Sequence, residues 1–234
     1  MIPKIIHQIW SSKDGSLPQF LKEWSETWKD FHPNWQYEFW DNNRMNSFMQ
    51  EFYPEYMEIY NKFPYDVQRW DSIRYLILWE MGGMYVDFDY ECMEPFDDLL
   101  SGKDCCFSME PACHLDPEDR RTPYFFNNAM MACTPNHPFM LAVIKEVFSG
   151  KECSYPVNNK FVYVMSTTGP RMLVRTYENY KNKNDIYLIP AEFVSPFGIK
   201  EIRAIMSGVK NDVFEVSLQK AKAIHYFLGT WRFS

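Results

Sequence analysis

The chain has 234 residues, 24 Lys and Arg against 31 Asp and Glu, and a formal net charge of −7. Its length suits one large domain with a real core, and its 46% hydrophobic share excludes a disordered chain. The acidic balance lacks the basic footprint of a nucleic-acid binder, while an aromatic share of 18% suits stacking on ring-shaped ligands.

The start, Met1 to Trp10, has no long apolar run or small-residue cleavage site, so no signal peptide is expected. No apolar stretch approaches the length of a membrane span. Cys92, Cys105, Cys106, Cys113, Cys133 and Cys153 form no C-x-x-C pair. They read as buried reduced thiols rather than a zinc site, and a cytoplasmic location is expected.

In chain order, Ile5 to Trp10 reads as a first strand. Leu21, Trp24, Trp28 and Phe31 recur at helical spacing after Leu17-Pro18, and His32-Pro33-Asn34 breaks that helix. Trp35, Tyr37 and Phe39 alternate with polar residues as a strand, closed by Trp40-Asp41-Asn42-Asn43. Met45, Phe48, Met49 and Phe52 suggest a helix ending near Pro54. The clearest helix spans 66–81, with Asp66 as N-cap, Val67, Trp70, Ile73, Ile77 and Met81 on its apolar face, and Gly82-Gly83 at its end. Met84 to Phe88 reads as a strand.

Further strands are expected at Cys105 to Met109, Ala129 to Cys133, Ile186 to Ile189 and Ile224 to Phe227. The stretch 111–123 reads as a long polar loop; helices are expected at 138–148 and after Thr168-Gly169-Pro170. Alternating strands and helices point to an α/β fold with a mostly parallel central sheet.

On a strand, Tyr85, Asp87 and Asp89 share one face. Two like charges so placed repel, and a hard cation such as Mn²⁺ or Mg²⁺ reverses that repulsion and bridges to phosphate. A bare D-x-D also marks any strand end facing water. The preceding helix carries Asp71 and Arg74 on one face. They read either as a surface ion pair or as a hydroxyl acceptor and anion clamp beside the metal.

Asp71-Ser72-Ile73-Arg74-Tyr75, followed by Gly82-Gly83-Met84-Tyr85-Val86-Asp87-Phe88-Asp89, resembles the D-x-x-R … GG-x-Y-x-D-x-D signature of glycosyltransferase family 32. That family includes the yeast initiating α-1,6-mannosyltransferase, inositol-phosphoceramide mannosyltransferases and small bacterial enzymes of surface-polysaccharide assembly; the clostridial glucosylating toxins carry a similar signature. Ile2 to Trp10, Asn34 to Asp41, Asn127 to Pro138, Thr168-Gly169-Pro170 and His225 with Gly229-Thr230-Trp231 resemble flanking family blocks.

The resemblance implies a GT-A fold, one domain over 1–234, with nucleotide-sugar and metal groups in 1–110 and the acceptor half and C-terminal metal block in 111–234. It implies that Ile9 and Trp10 meet the nucleotide, that Asp71 and Arg74 contact ribose, sugar or phosphate, and that Tyr85 and Asp87 join the donor site. Asp89, Asp87, His225 and Thr230 are the implied metal ligands, with Trp231 beside the diphosphate and Asn127 or Asn128 on sugar hydroxyls. Thr230 departs from the family's usual Ser but keeps its hydroxyl.

Plainer readings stand beside these. Trp10 fits a core, His225 a structural histidine, Asn127-Asn128 a turn, Thr168-Gly169-Pro170 a helix start, and His7 a structural role.

The implied reaction is metal-dependent hexosyl transfer from a nucleoside diphosphate sugar to a glycan, lipid-linked or glycolipid acceptor, with retention. Front-side attack is preferred, because Glu110 and Asp116 are only loop candidates for a nucleophile. UDP is the favoured nucleotide, with galactose ahead of glucose and mannose. A mild basic excess over 199–222 offers weak peripheral contact at the inner membrane face, or simply a solvated surface. A non-catalytic sugar-binding module and a D-x-D phosphatase are the alternatives.

Overall fold

The structure is a computed structural model that describes residues 1–11, 15–115, 124–209 and 211–229, without the side chain of Val213. Its frame is a six-stranded sheet in the order β2-β1-β3-β6-β5-β7. These strands are β1 (Ile5–Ile9), β2 (Gln36–Trp40), β3 (Gly83–Val86), β5 (Cys105–Met109), β6 (Phe126–Cys133) and β7 (Tyr187–Ile189). The β1–β2, β1–β3 and β5–β7 pairs are parallel, and β6 alone runs against its neighbours. The sheet is thus mostly parallel, as expected.

Successive side chains alternate between two apolar layers. Tyr85, Phe107 and Met131 face one; Met84, Val86, Cys106 and Ala132 face the other. The first layer is closed by α2 (Asn42–Phe52), α3 (Met57–Lys62), α4 (Asp66–Met81), α6 (Pro138–Val147) and α8 (Pro170–Asn179). The second meets α1 (Gln19–Phe31) and a two-stranded ribbon of β4 (Tyr90–Cys92) and β8 (Ala223–His225). Shorter helices complete the chain: α5 (Asp97–Leu100), α7 (Lys160–Thr167), α9 (Ala191–Val194), α10 (Ile199–Met206) and α11 (Asp212–Leu218).

Several expectations need correction. The α4 N-cap is Tyr65, not Asp66; the Gln68 side chain accepts from the Tyr65 backbone N–H at 3.2 Å. Asp66 is the first helical residue and pairs with Arg69. Nor is α4 amphipathic, since every residue from Asp71 to Leu78 is buried. It packs on β3 and β6 and also against α6 and α7, which leaves no solvent face over that stretch. The second strand closes at Trp40 as expected, and Asp41 then caps α2, accepting from the Arg44 N–H at 2.8 Å.

The strand β3 ends at Val86, short of Phe88. A turn closed by Tyr90 N–H on the Asp87 carbonyl (3.2 Å) then lifts the chain out of the sheet into β4. Of the expected buried thiols, Cys113 is exposed and Cys153 half-buried, and all six cysteines are unpaired. The described part of the 111–123 loop holds a short 3₁₀ turn at Ala112–His114.

Gly82 and Gly83 join α4 to β3 with φ of 64° and 93°. A Cβ on Gly83 would lie 2.6 Å from the Ile5 carbonyl of β1. The neighbouring His7 is buried, its Nε2 donating to the Gly82 carbonyl (2.9 Å) and its Nδ1 accepting from Trp40 Nε1 (3.2 Å). This confirms its structural reading. Burial lowers its pKa to about 4.

Two predictions follow from this junction. Gly83→Ala should cost about 3 kcal/mol in urea denaturation, from strained φ plus a backbone clash. Gly102→Ala, at φ 67° but with open space around it, should cost about 1 kcal/mol. Because the folded pKa of His7 is depressed, its contribution is complete above the unfolded value near 6.5 and is lost as pH falls towards 4. The unfolding midpoint should therefore drop across that window, and His7→Gln should flatten the drop while lowering stability at pH 7.

Candidate active site

A cleft of about 990 Å³ opens over the carboxyl ends of β1 and β3. Ligands of open α/β sheets bind in this position. Its floor is built around one buried guanidinium. Arg74 sits mid-α4, where Nε donates to the Trp70 carbonyl (3.3 Å) and Nη1 to the Asn128 carbonyl (2.8 Å). Nη2 lies 3.4 Å from Asp71 Oδ1 and Nη1 lies 3.3 Å from Asp87 Oδ1. The guanidinium also stacks 4.5 Å over the Tyr85 ring. Burial alone would lower the Arg74 pKa, but Asp87, Tyr85 and Asp71 outweigh it and raise it.

Asp71 is fully engaged. Asn128 Nδ2 donates to Oδ1 (2.9 Å) and the Thr168 hydroxyl to Oδ2 (2.8 Å). Asn127 and Asn128 therefore lie in strand β6, which overturns their reading as a turn. Thr168 is more than the prelude to α8: its buried hydroxyl ties that helix start to Asp71. The Asp71–Arg74 pair is likewise no surface pair, since both residues are buried.

Asp87 opens the turn after β3 and Asp89 lies within it, so strand alternation does not place them. They share the cleft because the turn does. Tyr85 lies beneath them, buried, and donates its hydroxyl to Asp87 Oδ1. Burial, with the Asp89 charge adding to it against Arg74, pushes the Asp87 pKa up to about 6. Burial works on Asp89 too, but His225 and the Leu228 N–H outweigh it and hold its pKa below the ordinary value.

The C-terminal segment reaches this place through the ribbon. The β4–β8 register sets Tyr90 opposite His225. Tyr226 N–H then bonds the Asp89 carbonyl (2.8 Å), and Leu228 N–H bonds Asp89 Oδ2 (2.9 Å). His225 Nε2 faces Asp89 Oδ1 at 3.4 Å. The imidazole is stacked on Tyr90 (4.1 Å) and lies 3.9 Å from the Phe227 ring, while its buried Nδ1 has no partner among the described residues.

At the rim, Ile9 and Trp10 line the cleft from the end of β1. Trp10 is half-buried, edge-on to Phe88 at 5.8 Å, with Nε1 on the Gly15 carbonyl (3.0 Å). Thr230 and Trp231 lie outside the described residues, as does Asp116. The fold thus gathers Ile9, Trp10, Asp71, Arg74, Tyr85, Asp87, Asp89, Asn127, Asn128 and His225 around one cleft.

Residues 18–105 match the profile of the glycosyltransferase sugar-binding region containing a DXD motif. An uncharacterized glycosyltransferase of Acanthamoeba polyphaga mimivirus is 32% identical over 200 residues, covering 84% of this chain and 74% of that one. The chain belongs to this glycosyltransferase family. Inositol phosphoceramide mannosyltransferase 1 of Schizosaccharomyces pombe is also similar, at 32% identity over 182 residues, covering 76% of this chain and 52% of that protein. The chain spans about half the length of the first curated relatives it matches. The UDP-bound glycosyltransferase domain of the YGT toxin has the same fold, with a TM-score of 0.52 and 10% identity over 92% of this chain and 89% of that one. The architecture is the GT-A fold of this family.

Sequence reading missed how Asp71 is held by Thr168, and it left Glu110 and His114 without a place. Glu110 follows β5, where its Oε2 accepts from His114 Nδ1 (2.7 Å) and its Oε1 from Asn127 Nδ2 (3.3 Å). A second cluster, Cys105, Cys133 and His137, comes together from β5, β6 and the start of α6 without any spacing motif. Its groups have local partners: His137 Nδ1 accepts from Phe139 N–H and Cys133 Sγ donates to the Thr134 carbonyl.

Removing the guanidinium tests its hold on the floor. Arg74→Met leaves Asp71 and Asp87 buried without their cation and should cost about 3–5 kcal/mol at pH 7. Thr168→Val removes one neutral donor to Asp71 and should cost about 1–3 kcal/mol in the same urea titration.

Proposed function

We propose that the chain transfers a hexosyl unit from a nucleoside diphosphate sugar to a hydroxyl of a glycan or glycolipid, with retention at the anomeric carbon. The arrangement of Asp89 carries this reading. One carboxylate oxygen is fixed by the Leu228 N–H, the other faces His225 Nε2, and Asp87 stands two residues away over the same cleft.

By donor chemistry two carboxylates and an imidazole suit Mn²⁺, or Mg²⁺ with more oxygen ligands, while their ligand atoms stand further apart than those of Cys105, Cys133 and His137. The buried Nδ1 of His225 has no partner among the described residues, which leaves an imidazole lone pair for a donor or an ion. Asp89, His225 and Asp87 would hold the ion. When bound it supplies Lewis-acid stabilisation of the leaving diphosphate.

The chain's own groups do the rest. Trp10 offers a half-buried ring at the cleft rim for the nucleotide base. Arg74 brings a fixed positive charge under the site, though its N–H groups are largely occupied by Trp70, Asn128, Asp71 and Asp87. It therefore acts on the reaction mainly by setting Asp71 and Asp87 in place. Front-side attack remains the preferred route, with the acceptor hydroxyl entering on the face the diphosphate leaves.

Mannose is the sugar named for the Schizosaccharomyces pombe relative, and this moves the reading from galactose towards mannose. The same name supports an inositol-phosphate lipid among the acceptors. The UDP in the toxin domain keeps a uridine donor in the comparison.

A panel of UDP- and GDP-sugars, assayed for Mn²⁺-dependent hydrolysis and by NMR for the product anomer, tests the reading. Asp89→Asn keeps the shape and the Leu228 contact but removes a ligand charge. Its turnover should fall about a hundredfold or more while the chain stays folded by circular dichroism, with the melting temperature lowered only by the loss of the His225 pairing. Undiminished turnover, or an inverted product, would overturn the assignment.

A further inference from the structure

We propose that Glu110 reads the donor sugar: its carboxylate accepts hydrogen bonds from hydroxyls of the hexose while the diphosphate lies at Asp87 and Asp89. This inference rests on the nucleotide-sugar reading above.

The geometry begins at the ends of two strands. Asp87 follows β3 and its N–H bonds the Ala129 carbonyl of β6 (2.7 Å). Glu110 follows β5 and its N–H bonds the Phe125 carbonyl just before β6 (2.8 Å). Both acids are thus tied to the opening half of one strand, with Asn127 between their anchor points. All three line the same cleft. A sugar nucleotide whose phosphates sit at Asp87 and Asp89 meets Asn127 and Glu110 as its sugar extends along β6.

Glu110 is also held as a recognition group is held. Its side chain is only 13% exposed, and His114 and Asn127 each donate to a different carboxylate oxygen. His114 Nε2 accepts from the Ile199 N–H (3.2 Å), so Nδ1 carries the proton that Glu110 receives. Asn127 is oriented in turn, because its Oδ1 accepts from the Ser108 hydroxyl (2.8 Å) and the Ala129 N–H (3.1 Å). That turns its amide nitrogen towards Glu110, to which it donates.

Two carboxylate oxygens offer about four lone-pair sites, and the described neighbours take two. Glu110 lines the cleft, so the remaining ones are within reach of a ligand bound there. A purely structural acid would have little reason to line the cavity with spare acceptors. A sugar, with several hydroxyl donors on a rigid ring, matches such a group. Charged acceptors give strong hydrogen bonds and discriminate between epimers that place a hydroxyl differently.

The test compares sugar with nucleotide. Calorimetry with Mn²⁺ measures Kd for UDP, GDP and the corresponding sugar nucleotides on the unmodified chain and on Glu110→Gln. The variant should bind the bare nucleotides within about twofold of the unmodified chain. Its Kd for the preferred sugar nucleotide should rise about tenfold or more, because a charged acceptor is lost. Glu110→Asp draws the carboxylate back by one methylene and should shift the same ratio, so the test survives if Gln alters folding. An unchanged ratio of sugar-nucleotide to nucleotide affinity overturns the inference. So does an equal loss for both, which marks Glu110 as a structural support. Failure of the unmodified chain to bind either nucleotide is a different result: it removes the donor reading itself.

Discussion

The site depends on one buried positive charge. Arg74 lies in the middle of a helix buried over most of its length, with carboxylates on two sides and a carbonyl of the central sheet on a third. A lone guanidinium there would be prohibitive, and so would either acid. Together they form a compact network whose members fix one another. Asp71 receives Asn128 from β6 and Thr168 from the approach to α8, so three separate stretches of chain converge on one carboxylate. The Gly82-Gly83 junction then carries the chain from α4 into β3 with no room for a side chain. Floor and wall of the cleft are consequently one rigid unit, and D-x-D sits on its edge.

The second constraint is the β4–β8 ribbon. The chain leaves the central sheet after Asp87 and immediately pairs with residues more than 130 positions away. Trp28 Nε1 on the Tyr90 carbonyl (3.0 Å) and Thr27 Oγ1 under the Cys92 N–H (2.9 Å) fix this ribbon to α1. The ring stack of Tyr90 on His225 then sets the imidazole plane. No loop contact of His225 alone could do this; the ladder supplies its position and the stack its orientation.

Much of this was legible in the residues. The helix at 66–81, the glycine pair, β5, α6 and the helix after Gly169-Pro170 emerge at or near their observed bounds, because periodicity and glycine or proline punctuation report local preference directly. The candidate cleft residues were legible as well, although by resemblance more than by physics. What was not legible is long-range. Strand β4 is three residues of no distinctive pattern and exists because β8 pairs with it. Helix α7 and the helices of 191–218 run for only four to eight residues, too short for a periodic pattern to stand out. The same-face argument for Asp87 and Asp89 reached a correct neighbourhood by an incorrect route, since a turn and not a strand presents them. Thr168 and Glu110 gain meaning only from partners 97 and 17 residues away.

The two acids of the motif end up chemically distinct. Asp89 has an imidazole and a backbone N–H directed at it and rests below the ordinary carboxylate range. Asp87 has a tyrosine hydroxyl and the guanidinium, yet burial and its acidic neighbour hold it near 6. Such asymmetry is expected where one group must be a permanent ligand and the other must respond to what binds. Burial is the main cause of the Asp87 shift, and the Arg74 charge opposes it more than the Asp89 charge adds to it. The motif is therefore two carboxylates held in different environments rather than an equivalent pair. The surroundings agree with this division: Asp89 is fastened by the C-terminal ribbon and Asp87 by the Arg74 network, and the cleft lies where the two supports meet.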